Sequence, residues 1–424
     1  MGESSKRVAK SIEKLLAESD ISHLQAKLST KNHPCETSVK AGFSSRPSDV
    51  RRRQDLLSLP PSCTDALVPN YDLEKLGVFG NNIENLVGLA QIPIGIAGPI
   101  RVNGLHAQGD YIVPLATHEA ALVASYHRGA TAITAAGGCT AMLLNECVSR
   151  SPGFVFKNAI EAGSFLSWAL PSMDTFVAVA EATTEYGKLV DFSVTVEGNH
   201  VYLRFDYTTG DAAGQNMVTI ATQAICDYIS ENAPVSPEAI YVEANQSGDK
   251  KASSQSFQHV RGKKVTTEIV LSEKIISKHF GTTAESMFKY WGMSSMGGIL
   301  SGTMGIQGHY ANGLAALFIA CGQDAACVAE AAVGTTRFEL REDNALYATV
   351  TLPNLIVGTV GGGTDLPSQK ACLEIMGLHG AGKAQAFAEV CAATVLAGEL
   401  SIIAALASGN FARAHEVLAR LRKR

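Results

Sequence analysis

Between Pro152 and about Glu238 the chain changes to a period of two, and this restricts the fold more than any other stretch. Val190, Phe192, Val194 and Val196 alternate with polar residues, Gly198-Asn199 makes a turn, and Val201, Leu203, Phe205 and Tyr207 alternate again. That is a β-hairpin with one buried face. Around it, Phe154-Val155-Phe156 reads as a strand followed by a helix to Leu170. Phe176 to Val179 reads as a further strand, Gly214 to Ile229 as a helix, and Ile240-Tyr241-Val242 as a strand. The order β-α-β-β-α-β is that of a ferredoxin-like split βαβ unit, set inside a larger domain.

A chain of 424 residues has room for two or three domains and a large core. The expected fold class is α+β. It comprises a small helical N-terminal domain at 1–66, a large helix-centred α/β domain at 67–151 and 239–424, and the inserted unit at 152–238. Apolar positions from Ile12 to Leu28 recur at helical spacing, and a second helix starts near Pro47, where Arg51, Arg52 and Arg53 either face solvent or hold phosphates. The run from Glu84 to Pro99, punctuated by Gly and Pro, reads as an irregular buried strand packed against another domain or subunit. After a strand from Asp110 to Pro114, a helix is expected to begin at about Thr117, with Glu119 in its first turn. The lean, Gly- and Ala-rich stretch from Gly298 to Gly334 suits a helix crossed closely by others at the centre of a domain. The last helix runs from about Lys383 to Ala407.

Composition removes several classes of function. With 46% hydrophobic and 18% charged residues the chain is not disordered, and a net charge of -5 gives no global footprint for nucleic acid. The nine cysteines form no C-x-x-C pair and no ligand spacing with histidine, so no metal is expected and the thiols read as reduced core residues. Met1 to Arg7 is followed by no apolar segment of the secretory kind. The most apolar stretches are interrupted by Asp324, Glu330, Glu389 and Glu399, so neither is a membrane span. A cytoplasmic protein is expected.

The candidate site centres on Glu243-Ala244-Asn245-Gln246-Ser247-Gly248-Asp249-Lys250-Lys251, which sets two ammonium groups beside a carboxylate in a loop. That suits an anionic substrate, although a Lys-Lys pair is also what a solvated surface carries. Glu119, Asp324 and His415 stand in apolar or small-residue segments, where an ionisable group is costly without a partner. Glu119 is either a helix-start carboxylate satisfied by backbone N–H groups or a buried acid raised toward neutrality; Asp324 is paired most simply with Lys250. Gly210 to Met217 is a glycine-containing start of a helix that could meet phosphate, but it is not G-x-G-x-x-G and follows no parallel strand. Gly361-Gly362-Gly363 serves either a plain turn or backbone pressed against a ligand.

Taken together, these motifs resemble the catalytic portion of the 3-hydroxy-3-methylglutaryl-coenzyme A (HMG-CoA) reductases, closest to the class of eukaryotes and archaea. The likeness runs from about Val39 to Arg420 and rests on Glu84 to Pro99, Pro114 to Gly129, Gly210 to Met217, Asp249-Lys250-Lys251, Ala320 to Asp324, Gly358 to Thr364 and Ala397 to Ser401. It implies a two-step hydride reduction of HMG-CoA to mevalonate and CoA, by way of a hemithioacetal and an aldehyde, with NADPH as reductant. It also implies a homodimer or homotetramer with active sites where subunits meet, and no membrane or nucleic-acid partner. By the same resemblance Lys250 stabilises the oxyanion, Asp324 keeps it charged and tunes Glu119, Glu119 donates a proton to the oxygen, and His415 protonates the CoA thiolate. Arg150, Asp249 and Lys251 would hold the acyl group, Asn312 would support the Lys250 cluster, and Arg128 would face CoA phosphates. Asp211, Ala213, Gly214, Gln215, Asn216 and Met217, with Gly361 to Gly363 and the Thr184-Glu185 pair, would seat the dinucleotide.

Three positions depart from the family pattern. Thr184-Glu185 replaces a Ser-Arg pair that grips the 2′-phosphate of NADPH, so NADH becomes an alternative. Glu243 stands where a serine contacts the acyl group. Leu421 occupies the position of the serine by which kinases silence animal members, so that control is not expected. Two further readings keep the resemblance: the same fold working oxidatively with NAD and CoA in mevalonate degradation, and an inactive acyl-CoA-binding protein.

Overall fold

The structure, a computed structural model, describes residues 5–34, 55–58, 60–63, 82 and 91–409. His415, Arg51 to Arg53 and the first part of the Glu84 to Pro99 run lie outside those residues. Among the described residues ten strands form one sheet: β1 (Ile94–Gly104), β2 (Gln108–Ala116), β3 (Cys139–Arg150), β4 (Gly153–Val155), β5 (Lys188–Glu197), β6 (His200–Thr208), β7 (Ala239–Tyr241), β8 (Gly262–Leu271), β9 (Thr335–Leu340) and β10 (Leu346–Leu355). The helices are α1 (Ser5–Glu18), α2 (Ile21–Leu28), α3 (Leu122–Ala135), α4 (Ala159–Ala169), α5 (Met173–Glu181), α6 (Gln215–Asn232), α7 (Gln255–Gln258), α8 (Glu273–Phe280), α9 (Ala284–Ser301), α10 (Tyr310–Ala320), α11 (Val328–Ala331), α12 (Pro367–Ile375) and α13 (Ala384–Ala407). The class is α+β, as the sequence indicates.

The strand order is β7-β4-β6-β3-β8-β10-β9, with β5 on β6 and β1 on β2 and β3. Among these strands only β1 and β3 run parallel; the other pairings are antiparallel. The β3–β6 contact is short, joining Val148 to Arg150 with Phe205 to Tyr207. On either side of it lies a separate apolar core. The smaller is built from Phe154, Phe165, Phe176, Phe205 and Ile225 among others, and the larger surrounds α13.

One element of the smaller core departs from its sequence reading. Phe176 to Val179 is not a strand but part of α5. Phe176 and Ala180 are the buried residues of that helix, four apart, and the Phe176 ring meets Phe192, Phe205 and Tyr228 edge-on. A short, wholly apolar run shows no period of its own, and tertiary packing selected the helical one. The hairpin forms as expected, with Val196 opposite Val201 across the turn, but a register shift between Leu189 and Asp191 buries Leu189 and leaves Val190 exposed. Near the N-terminus the helical run is interrupted by Asp20, whose carboxylate caps α2 by accepting the His23 N–H at 2.7 Å.

α13 is apolar and long enough to cross a membrane, yet it is buried along most of its length by α3, α9, α10 and the strands β1, β3, β8 and β10. It is a core helix. Gly129 makes the close crossing with α3 possible, since a Cβ there would strike the Ala397 backbone. The carboxylate of Glu389, fully buried on α13, accepts N–H groups of Leu105 (3.1 Å), His106 (2.8 Å), Ala107 (2.7 Å) and Leu143 (3.2 Å). Burial pushes this carboxyl up to about 7 against four donors that favour the carboxylate. Glu389→Gln turns an NH2 toward donors that need an acceptor, and is expected to cost ~3 kcal/mol or more. A urea midpoint equal to that of the parent chain would show that the cage tolerates an amide.

The lean stretch from Gly298 to Gly334 is not one helix. It breaks at Gly302 (φ +75) and Gly305 (φ +94), runs as α10, and breaks again at Gly322 (φ +68). At Gly322 a Cβ would collide with the Gly363 backbone, so this glycine serves a close approach. Asp324 consequently lies beyond α10, not inside a helix, and caps the short turn Ala325–Cys327 through the Ala326 N–H at 2.9 Å.

Candidate active site

The Lys250 loop follows β7 and is held from three sides. Lys250 Nζ lies 2.7 Å from Asp324 Oδ2, the pairing expected from sequence, and this hydrogen bond outweighs partial burial to raise the ammonium above its ordinary value. Its backbone has φ +57, a left-handed conformation uncommon outside glycine. The Lys250 N–H donates to Glu330 Oε1 at 3.0 Å. Asp249 lies between Arg261 (2.8 Å) and Arg150 (3.1 Å); burial would raise its carboxyl, but the guanidiniums prevail and hold it below the usual range. Lys251 is exposed and donates to the Asp249 carbonyl at 2.8 Å.

Arg150 is already engaged. Nη1 contacts Asp249 and, at 3.3 Å, Glu243, while Nη2 donates to Gln215 Oε1 at 3.2 Å. Glu243 also accepts from Ser247 Oγ at 2.9 Å. The glutamate that departs from the family pattern thus neutralises the arginine expected to receive an acyl carboxylate.

Glu119 is placed differently from its sequence reading. α3 begins at Leu122, after Ala121 at φ +71, and Glu119 sits in the preceding loop, where its N–H donates to Thr117 Oγ1 at 3.0 Å. That local turn competes with helix, as threonine side chains do. The carboxylate is exposed within the protomer, not buried. It accepts from Asn312 Nδ2 at 3.2 and 3.1 Å, so Asn312 supports Glu119 and not the Lys250 cluster. Asn312 stands in the first turn of α10 and Asp324 lies past its other end. More than ~12 Å of helix separates them.

The head of α10 is set by Glu399 of α13. Fully buried, it accepts the Gly308 N–H (2.8 Å), the His309 N–H (2.8 Å) and Thr336 Oγ1 (2.7 Å). His309 stacks on Tyr126 with centroids 5.0 Å apart, and burial pushes its imidazole down to about 4, so it is neutral near pH 7.

The residues expected to seat a dinucleotide converge. Gly214, at φ +76, caps α6 without a side-chain acceptor on the first N–H groups, leaving a helix N-terminus of the kind that receives phosphate. Asp211 fixes the loop by accepting the Gly382 N–H (2.7 Å) and the Ala384 N–H (3.1 Å). A Cβ on Gly358 would clash with the Ala213 backbone, so the segment leading into the glycine run is pressed against this loop. Gly361 (φ +72) and Gly362 (φ +57) border open space, and Gly363 packs on Gly322. Thr184 Oγ1 reaches Met217 Sδ at 3.0 Å, which puts exposed Glu185 beside the same loop, where Asn216 is exposed too. Gln215 links the two regions through Arg150 and, at 2.7 Å, Arg261. Arg128, expected to face CoA phosphates, instead points inward, its Nη2 donating to the Ser401 carbonyl at 2.7 Å with Phe280 beneath its guanidinium.

Sequence reasoning missed Arg261, Glu330 and Glu399 as parts of this arrangement. A signal existed, because both glutamates interrupt apolar segments.

This fold has solved counterparts. The class II HMG-CoA reductase of Streptococcus pneumoniae bound to NADPH in open conformations matches with a TM-score of 0.67 and 19% identity, covering 86% of this chain and 97% of that one. At the level of fold, the chain is therefore of the HMG-CoA reductase type. The profile of the family described as hydroxymethylglutaryl-coenzyme A reductase matches residues 49–420. The HMG-CoA reductase of Methanocaldococcus jannaschii is 40% identical over 356 residues, covering 83% of this chain and 88% of that protein. That of Methanothermobacter thermautotrophicus is 42% identical over 373 residues, covering 88% and 93%. The chain belongs to the HMG-CoA reductase family, an oxidoreductase family of mevalonate and isoprenoid metabolism.

Proposed function

We propose that this chain reduces HMG-CoA to mevalonate and CoA, in two hydride transfers, at sites shared between two subunits. The observation that carries the reading is the Lys250–Asp324 pair, an ammonium held charged and partly exposed in a loop adjoining the α6 N-terminus. A nicotinamide dinucleotide, when bound, supplies the hydride. Asp211 to Met217 and Gly361 to Gly363 suit its pyrophosphate, being backbone and small residues around an uncapped helix start.

The chain's own groups do the remainder. Lys250 faces the carbonyl oxygen on which negative charge develops. Glu119 delivers the proton to that oxygen, oriented by Asn312. Asp249, Lys251 and Arg150 orient the acyl group, and His415 returns a proton to the departing thiolate. Because Glu243 and Asp249 balance Arg150, exposed Lys251 carries more of the attraction for the acyl carboxylate.

The arrangement within one protomer supports sites across an interface. Glu119 with Asn312 and Lys250 with Asp324 lie at opposite ends of α10. α9 presents Met293, Met296, Ile299 and Leu300 at 55–81% exposure, an apolar row that a second copy would cover. The inserted unit at 152–238 is the cofactor-binding domain in this proposal.

Glu185 makes NADH the favoured reductant, since a carboxylate repels a 2′-phosphate and accepts from a free ribose hydroxyl. Kinetics with NADH and NADPH, run in both directions, test the proposal. A strong bias toward oxidation with NAD and CoA would replace it with the degradative reading, and absence of turnover would end it. Glu185→Arg is expected to raise kcat/KM for NADPH relative to NADH by ~10²; an unchanged ratio would remove Glu185 from cofactor choice.

A further inference from the structure

The groups that could set the Lys250 backbone are buried beneath its loop. Lys250 holds φ +57, a conformation that is strained for a non-glycine residue and persists only where surroundings over-determine it. The Asp324–Ala331 segment supplies two constraints: Asp324 takes the ammonium at 2.7 Å, and Glu330 of α11 takes the backbone N–H at 3.0 Å. Glu330 is 1% exposed. A lone carboxylate that deep is costly, and burial pushes this one up; Arg261, 3% exposed just before β8, pairs with the same Oε1 at 2.5 Å. Arg261 also reaches Asp249 at 2.8 Å and Gln215 at 2.7 Å. One buried fork therefore joins the residue before Lys250, the acceptor of its N–H, and the head of α6.

We infer that Glu330 and Arg261 are positioning residues, which hold the left-handed backbone of Lys250 so that its ammonium stays on Asp324. The inference rests on the reading of Lys250 as the cation that meets the substrate oxygen. Without the Glu330 acceptor the Lys250 peptide relaxes toward negative φ, and the side chain leaves Asp324. Asp324, Asp249 and Cys327 are the ionisable groups facing that amine.

Two substitutions separate reach from charge. Glu330→Asp keeps the charge and withdraws the oxygen by one methylene; Glu330→Gln gives up the charge and keeps an oxygen at full reach. The titration of Lys250 is read from the pH dependence of its labelling by acetic anhydride, with mass spectrometry of the peptide, alongside kcat and KM for HMG-CoA. In Glu330→Asp the labelling midpoint falls toward that of an ordinary lysine and kcat drops by ~10², with KM within ~3-fold. In Glu330→Gln both readouts remain within ~3-fold of the parent. Should Glu330→Asp fail to fold, Arg261→Lys, which withdraws the fork and keeps the charge, takes its place with the same expected shift. An unmoved midpoint in the shortened variant, or equal damage in Glu330→Gln, overturns the inference. Labelling needs no turnover, so a parent chain that leaves HMG-CoA unreduced defeats the proposed function while the midpoint still decides the positioning role.

Discussion

Lys250→Met is expected to lower kcat for HMG-CoA reduction by ~10³ or more while cofactor affinity stays within ~3-fold, because in the proposed reaction the lost cation acts on charge that exists only as hydride reaches the carbonyl. Removing a neutral oxyanion donor typically costs ~10²–10³ in kcat, and a full ammonium acting outside bulk water exceeds that. Methionine keeps the stem and removes the charge, so packing is a small part of the effect. The pH profile supplies the second arm. Lys250 is raised by Asp324, so the cation is complete below the ordinary lysine value and is lost only as pH climbs through the higher folded one. The pair's contribution to stability has the same sign, present below the ordinary value and fading above it, and it is small because both side chains are about 40% exposed. The decisive measurement is single-turnover reduction with saturating cofactor. A Lys250→Met enzyme with the parent rate would leave the oxyanion without its proposed partner.

Much of the fold was legible where a hydrophobic period persisted. The hairpin read from Val190 to Tyr207 and the terminal helix α13 follow from alternation and from a long apolar run interrupted by Glu389 and Glu399. Phe176 to Val179 was not legible, because four consecutive apolar residues satisfy either period until the rings of Phe192, Phe205 and Tyr228 supply the environment. The start of α3 failed for a related reason: a threonine hydroxyl can cap a helix or close a local turn, and Thr117 closes the turn.

The site divides along a line that sequence does not draw. Charge in an apolar segment was the signal that singled out Glu119 and Asp324, yet both are exposed within the protomer. Glu330, Glu389 and Glu399, whose carboxylates are buried, stand in the sequence as interruptions of apolar stretches. One physical rule selects both sets, since an ionisable group among apolar neighbours needs a partner. Its partner differs: backbone N–H groups for Glu389 and Glu399, and Lys250 for Asp324. Only the folded arrangement reveals which partner is a fixed part of the fold and which stands at a surface where a ligand or another subunit can reach it.

That distinction gives the second large effect. If Glu119 of one protomer completes the Lys250–Asp324 pair of another, two inactive variants should rescue each other when mixed. Glu119→Gln and Lys250→Met homo-oligomers each retain ~10⁻³ of parent activity or less. Co-expressed with different affinity tags and purified as hybrids, they place both lesions in one site and leave the other with an intact Glu119 and an intact Lys250. A two-tag dimer should therefore recover about half of the parent turnover per dimer, a rise of ~10² or more over either variant alone. Sites built within single chains predict no rescue, since each protomer of the hybrid still lacks one group. The apolar row of Met293, Met296, Ile299 and Leu300 supplies a means of separating assembly from chemistry. Leu300→Asp, placed on that row, should drive the parent toward monomer, and activity should fall with the loss of the oligomer while cofactor binding persists. A monomeric Leu300→Asp protein with full turnover, or a hybrid without rescue, would put the whole reaction inside one chain and require Glu119 to reach Lys250 around the length of α10.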